Sequence, residues 1–81
     1  MLKQTWEKAF EYASSPLHGT LSRKQRPGVK IQVNGGDVFE NAVFFLGEEF
    51  VRVTETKGSE SINVYYDWAG IVSLKTVSSK E

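Results

Sequence analysis

The sequence predicts a small, mainly β protein in which an N-terminal α-helix precedes five short antiparallel strands curled into a strongly bent barrel. Three observations carry this expectation. Residues 38–53, VFENAVFFLGEEFVRV, are apolar on both sides when read with the two-residue period of a strand. Phe39, Val43 and Phe45 share one side with Asn41, while Val38, Ala42, Phe44 and Leu46 take the other. Such a stretch suits a small curved sheet that packs inward and offers its outer surface to a helix or a neighbouring subunit. Turn formers then recur at short intervals, at Asn34-Gly35-Gly36-Asp37, Gly47-Glu48-Glu49 and Lys57-Gly58-Ser59-Glu60. Helical spacing is confined to the first residues of the chain.

Leu2, Trp6, Ala9, Phe10 and Ala13 recur three and four apart and predict an amphipathic helix over residues 2–13 that lies on the sheet. Its polar side mixes Lys3, Glu7, Lys8 and Glu11, which argues against a membrane-surface helix. Ser14-Ser15-Pro16 ends it, because proline disfavours a helical residue before it and cannot donate to the ladder. Residues 17–28 hold turn formers and charges without a period, and are expected to form a loop. Residues 29–33, VKIQV, alternate as a half-buried first strand, and the glycine pair after them turns the chain into the second. The second and third strands are expected over 37–46 and 50–56, the fourth over 61–66. A short connection at 67–70 leads to the last strand, 71–77, and residues 78–81 form a polar tail.

The 81 residues make one domain with a limited core, so oligomerisation is a plausible source of further buried area. The parts are a helical segment (1–17), a basic loop (18–28), a five-stranded barrel (29–77) and the tail (78–81). No apolar run is long enough to span a bilayer, and the first residues lack a signal-peptide pattern, which predicts a cytoplasmic protein with no membrane partner. Cysteine is absent, excluding disulfides and thiol chemistry. With one histidine, His18, and carboxylates falling mostly in turns, there is no acid–base pair or metal-ligand spacing, so neither an enzyme nor a cofactor is expected.

Ten basic and ten acidic residues cancel, yet they are segregated. Arg23, Lys24, Arg26 and Lys30 lie together with no acid among them, and Asp37, Glu40, Glu48 and Glu49 follow with no base. The basic run reads either as a solvated loop or as a phosphate-contacting patch.

Residues 29–53 resemble the first motif of the Sm-like proteins, through Val29, Ile31, Val33, Gly36, Phe39, Val43, Val51 and Val53. Residues 64–74, VYYDWAGIVSL, are similar to the second motif, an apolar strand and a very short turn before an Ile-x-x-apolar strand. The resemblance implies an SH3-like barrel of Sm-like fold, a homo-oligomeric ring of roughly five to seven subunits closed by head-to-tail contacts, and binding of single-stranded RNA or DNA in RNA processing or regulation. It implies an oligomer interface through Val64, Tyr65, Tyr66, Ile71, Val72 and Leu74, on strands whose edges are poorly blunted. It also implies a base site at Phe50, Arg52, Asp67 and Trp68, where aromatic rings stack on bases. The chain departs from the motifs at Asn41, where the family has a bending glycine, at Arg52, where it has asparagine, and at Asp67-Trp68, where it has arginine-glycine. The four residues are therefore open to two readings, as base contacts, or as an Arg52–Asp67 ion pair between adjacent turns with Phe50 and Trp68 packed as core or interface. A non-enzymatic assembly module and a monomeric SH3-like peptide binder using Tyr65, Tyr66 and Trp68 are the alternatives.

Overall fold

The computed structural model describes residues 2–79 as one helix, eight short strands and a 3-10 turn. Helix α1 spans Leu2–Tyr12 and buries Phe10, with Ala13 just beyond its end. Phe10 meets Phe44 edge-on at 5.1 Å and Trp68 at 6.1 Å between ring centroids, so the helix covers the core as its spacing predicts. Trp6 packs against the same core, but its buried indole N–H has no hydrogen-bond partner among the described residues.

The strands are β1 (Ser14–Pro16), β2 (Ser22–Gln25), β3 (Val29–Val33), β4 (Val38–Phe39), β5 (Val43–Leu46), β6 (Phe50–Lys57), β7 (Glu60–Asp67) and β8 (Leu74–Ser78). They form two antiparallel sheets, one ordered β1-β2-β5-β6-β7 and the other β4-β3-β8. Trp68–Gly70 is a 3-10 turn between β7 and β8. Strands β1, β7, β4 and β8 end their sheets, so hydrogen bonding does not close into a complete barrel.

Three local expectations change. Residues 17–28 are not a plain loop. Their centre, β2, pairs with β1 on one side and β5 on the other. The final strand starts at Leu74 rather than at residue 71, because pairing with β3 begins at Val33 and Leu74, while the buried Ile71 caps the 3-10 segment through its N–H to Trp68 O. The polar tail begins later than expected, since Ser78 belongs to β8 and Ser79 donates its N–H to Gly28 O; Lys80 and Glu81 lie outside the described residues.

The largest change concerns the stretch expected as one second strand. It is two strands, and the inward parity switches between them: Phe39 is buried in β4, yet Ala42 and Phe44, on the opposite parity, are buried next to and within β5. Exposed Glu40 and Asn41 occupy the gap. The two-sided apolar pattern therefore reflects a change of face rather than a strand buried on both sides.

Such a break orphans backbone groups, which are costly to leave unpaired when buried. Gln25, at the end of β2, resolves this. Its Nε2 donates to Phe39 O and Val29 O, each at 2.7 Å, and its Oε1 accepts from Ala42 N at 3.0 Å. One buried amide thus joins the two sheets where the strand breaks. Asn34 performs a similar task at the opposite connection. Held at φ 56°, it donates to Gly70 O and accepts from Val72 N and Ser73 N, fastening the turn after β3 to the approach to β8.

Candidate nucleic-acid interface

Alternation puts Phe45 of β5, Arg52 of β6 and Tyr65 of β7 on the outer side of the larger sheet, opposite the buried Phe44, Val53 and Val51. The register aligns them, with Phe45 across from Arg52 and Arg52 across from Tyr65. The turn between β5 and β6 brings Phe50 to the same cluster. Gly47 N donates to Phe50 O at 2.8 Å, and a Cβ on Gly47 would stand 2.9 Å from that oxygen and 3.3 Å from both phenyl rings. Only glycine permits so close an approach there. The rings of Phe45 and Phe50, and of Phe50 and Tyr65, lie 6.0 Å apart, and the Arg52 guanidinium sits 5.2 Å over Phe45. Tyr65 is 61% exposed. The next row, Lys24, Val43, Thr54 and Asn63, adds polar groups, with Lys24 donating to Asn41 and Thr54 to Asn63.

Phe50 and Arg52 thus come together as expected, joined by Phe45 and Tyr65. Of the other two members of the proposed base site, Trp68 turns inward, whereas Asp67 stays beside Phe50 but does not pair with Arg52. Trp68 is 4% exposed, its Nε1 donates to Gly47 O at 2.9 Å and its ring packs on Phe10, so it supports the turn from inside rather than presenting a face. Asp67 lies across from Phe50, and no ion pair joins it to Arg52 among the described residues. Arg52 takes the aromatic partner instead of the acidic one.

The basic run does not form a single patch. Arg23 donates to Ser14 Oγ, Ser14 O and Glu11 O, while Arg26 donates its side-chain Nε–H to Tyr12 O at 2.8 Å and its backbone N–H to Ala13 O. Arg26 also stacks on the Tyr12 ring at 4.9 Å. Helix α1 has no basic residue in its last turn, and its free carbonyls are served by these two arginines from a distant segment. Lys24 points to the outer side of the larger sheet, whereas Lys30 lies on the smaller sheet, 3.9 Å from Glu40. Their adjacency in sequence is lost because β2 and β3 belong to different sheets.

Of the residues expected at an oligomer interface, Tyr65 and Val72 are exposed, Val64, Tyr66 and Leu74 are half-buried against the core, and Ile71 is buried. Strands β7 and β8 carry the free edges such an interface would use. Tyr66 has its hydroxyl pKa raised above 10.0, by burial first and by the nearby Asp37 charge second. Among the described residues no group of three His, Asp or Glu side chains is placed to hold a metal ion, and no helix is long and apolar enough to cross a membrane.

Gln25, Asn34 and Phe45 gain roles that the sequence did not assign. Gln25 sits in a charged run with no signal of burial, Asn34 read only as a turn former, and Phe45 only as a strand residue. Compared with protein-family models, with curated proteins and with solved structures, the chain shows no significant match.

Proposed function

We propose that this is a non-enzymatic, cytoplasmic, Sm-like module that binds single-stranded nucleic acid, RNA foremost, and assembles into a homo-oligomeric ring. The observation that carries the reading is the cluster of Phe45, Phe50, Tyr65 and Arg52 on the outer side of β5, β6 and β7. Open aromatic faces accept bases of any sequence, at about 1 to 3 kcal/mol per stacked base, and an arginine beside them meets phosphates or base edges. With Arg52 and Lys24 as the cations on this face, few phosphates are neutralised, so a shallow salt dependence is expected.

The Sm-like assignment is supported by the helix on the core, by β3 lying between β4 and β8, by the β5-β6-β7 meander and by the short turn between β7 and β8. Assembly is supported by the free edges of β7 and β8, whose unpaired backbone groups suit strand addition from a second copy.

Native mass spectrometry of the protein with short poly-U, poly-A and poly-C oligonucleotides, followed by anisotropy titration, tests both parts. A closed oligomer that takes up an oligonucleotide, with affinity falling about tenfold in Tyr65→Ala or Arg52→Ala, is the expected result. Uptake that ignores both substitutions would remove the cluster from the site. An oligomer that binds none of the three would leave an assembly module, and a monomer would favour the peptide-binding alternative.

A further inference from the structure

A second feature lies on the smaller sheet. Along the outer side of β4-β3-β8, Lys30, Gln32, Val38, Lys75 and Val77 surround a shallow cavity of about 220 Å³, with Ile31 also contributing to its lining. The register builds it: Gln32 stands across from both Val38 and Lys75, and Lys30 across from Val77. Val38 and Val77, 46% and 50% exposed, are apolar walls that the fold leaves uncovered. The lining residues include two ammonium groups and no carboxylate; Glu40 stands 3.9 Å from Lys30, and Lys75 joins no ion pair among the described residues, so its positive charge is uncompensated by a direct partner.

We infer that this cavity is a binding site for a small monoanion with a compact apolar body, of the class of an aromatic or branched-chain carboxylate. The uncompensated charge of Lys75 sets the charge of the ligand, and the two valines set its apolar character. The volume is below the roughly 300–1,000 Å³ of sites for drug-sized ligands, which restricts the body to about one ring or one branched chain. Lysine rather than arginine makes the charged contact, so a carboxylate is held as a point charge without a demand for bidentate geometry. One of the two side-chain N–H donors of Gln32 is used on Gly36 O at 2.7 Å, and its Oε1 remains as an acceptor for a hydroxyl or amino group beside the carboxylate.

The test is a 1H–15N correlation titration of the full chain with sodium benzoate, benzyl alcohol and benzylamine. Benzoate is expected to give saturable shifts centred on the amides of residues 30–32, 38 and 75–77, with benzyl alcohol weaker and benzylamine without effect. Lys75→Gln should weaken benzoate about two- to fivefold, the range expected for one exposed charge contact, and Val77→Asp should abolish it while leaving the rest of the spectrum in place. Absence of saturable shifts, equal response to benzylamine, or unchanged affinity in Lys75→Gln would each overturn the assignment. Arg52→Ala should leave benzoate binding unaltered, so this site and the aromatic face stand or fall separately.

Discussion

On the inner side of β5 and β6, Phe44, Val51 and Val53 are fully buried, and Phe44 meets Phe10 of the helix. On the outer side of the same strands, Phe45, Phe50 and Arg52 touch one another and Tyr65 while staying partly open to solvent. The two sides have similar apolar chemistry, separated only by alternation. One is enclosed because the helix and the smaller sheet supply partners for it; the other has rings and a cation arranged among themselves. Burial of aromatic area on the inner side stabilises the fold, whereas the half-exposed rings on the outer side add less to folding and form the face on which the proposed binding rests.

Substitution pairs across this divide should separate stability from binding. Phe44→Ala should cost about 3 to 5 kcal/mol, the range for truncating a buried phenylalanine. Its neighbour Phe45→Ala should cost about 1 kcal/mol or less, as for a cross-strand pair, while lowering nucleic-acid affinity about tenfold. Chemical denaturation and anisotropy measured on both variants would expose any mixing of the two roles. A large stability loss in Phe45→Ala would mean that the outer face belongs to the core.

Next in size is Gln25→Leu, which keeps a side chain of similar volume at the junction but removes three hydrogen bonds to buried backbone. A loss of about 3 kcal/mol is expected, since each orphaned group costs about 1 to 3 kcal/mol and the sheets can relax in part. A neutral result by denaturation would show that the two sheets do not depend on this amide. Arg26→Ala should cost about 1 to 2 kcal/mol, through the lost contacts to Tyr12 O and the Tyr12 ring. Hydrogen exchange should then rise first at the end of α1, and uniform exchange across the chain would contradict a local anchoring role.

The smallest effect concerns pH. Because the folded pKa of Tyr66 lies above its unfolded value, the folded state holds this proton more tightly. That contribution is complete below about pH 10 and is lost as pH rises through the folded pKa. Tyr66→Phe should remove this part of the alkaline loss in a series of denaturation curves, and an unchanged alkaline limb would contradict it.

Much of the fold is legible locally. The helix follows from the spacing of Trp6, Phe10 and Ala13, the first strand from VKIQV, and the hairpin of β6 and β7 from the Gly58 turn between alternating residues. Short-range rules fail at residues 40–42, because alternation presumes an unbroken strand and carries no mark of where one face gives way to the other. They fail again at residues 22–25, whose polar sequence forms a strand only because β1 and β5 flank it. For the candidate site, Phe50 and Arg52 lie close together, while the sequence left Trp68 open between a base site and the core, since an aromatic residue in a short turn reads alike whether it faces solvent or Phe10.

The order of residues by itself determined a single helix, a series of short antiparallel strands, the absence of thiol chemistry and the supply of aromatic and basic side chains. Those properties depend on composition and on neighbours within a few positions. Only the tertiary structure decided that the basic run would be divided, two arginines holding the helix end, Lys24 joining the outer face and Lys30 the cavity on the smaller sheet. It also decided that Gln25 would close the break between sheets and that Arg52 would lie on Phe45 rather than pair with Asp67. The physical reason is that each outcome depends on which unsatisfied backbone carbonyl, exposed ring or opposite charge another segment brings alongside, and separation along the chain does not encode that distance.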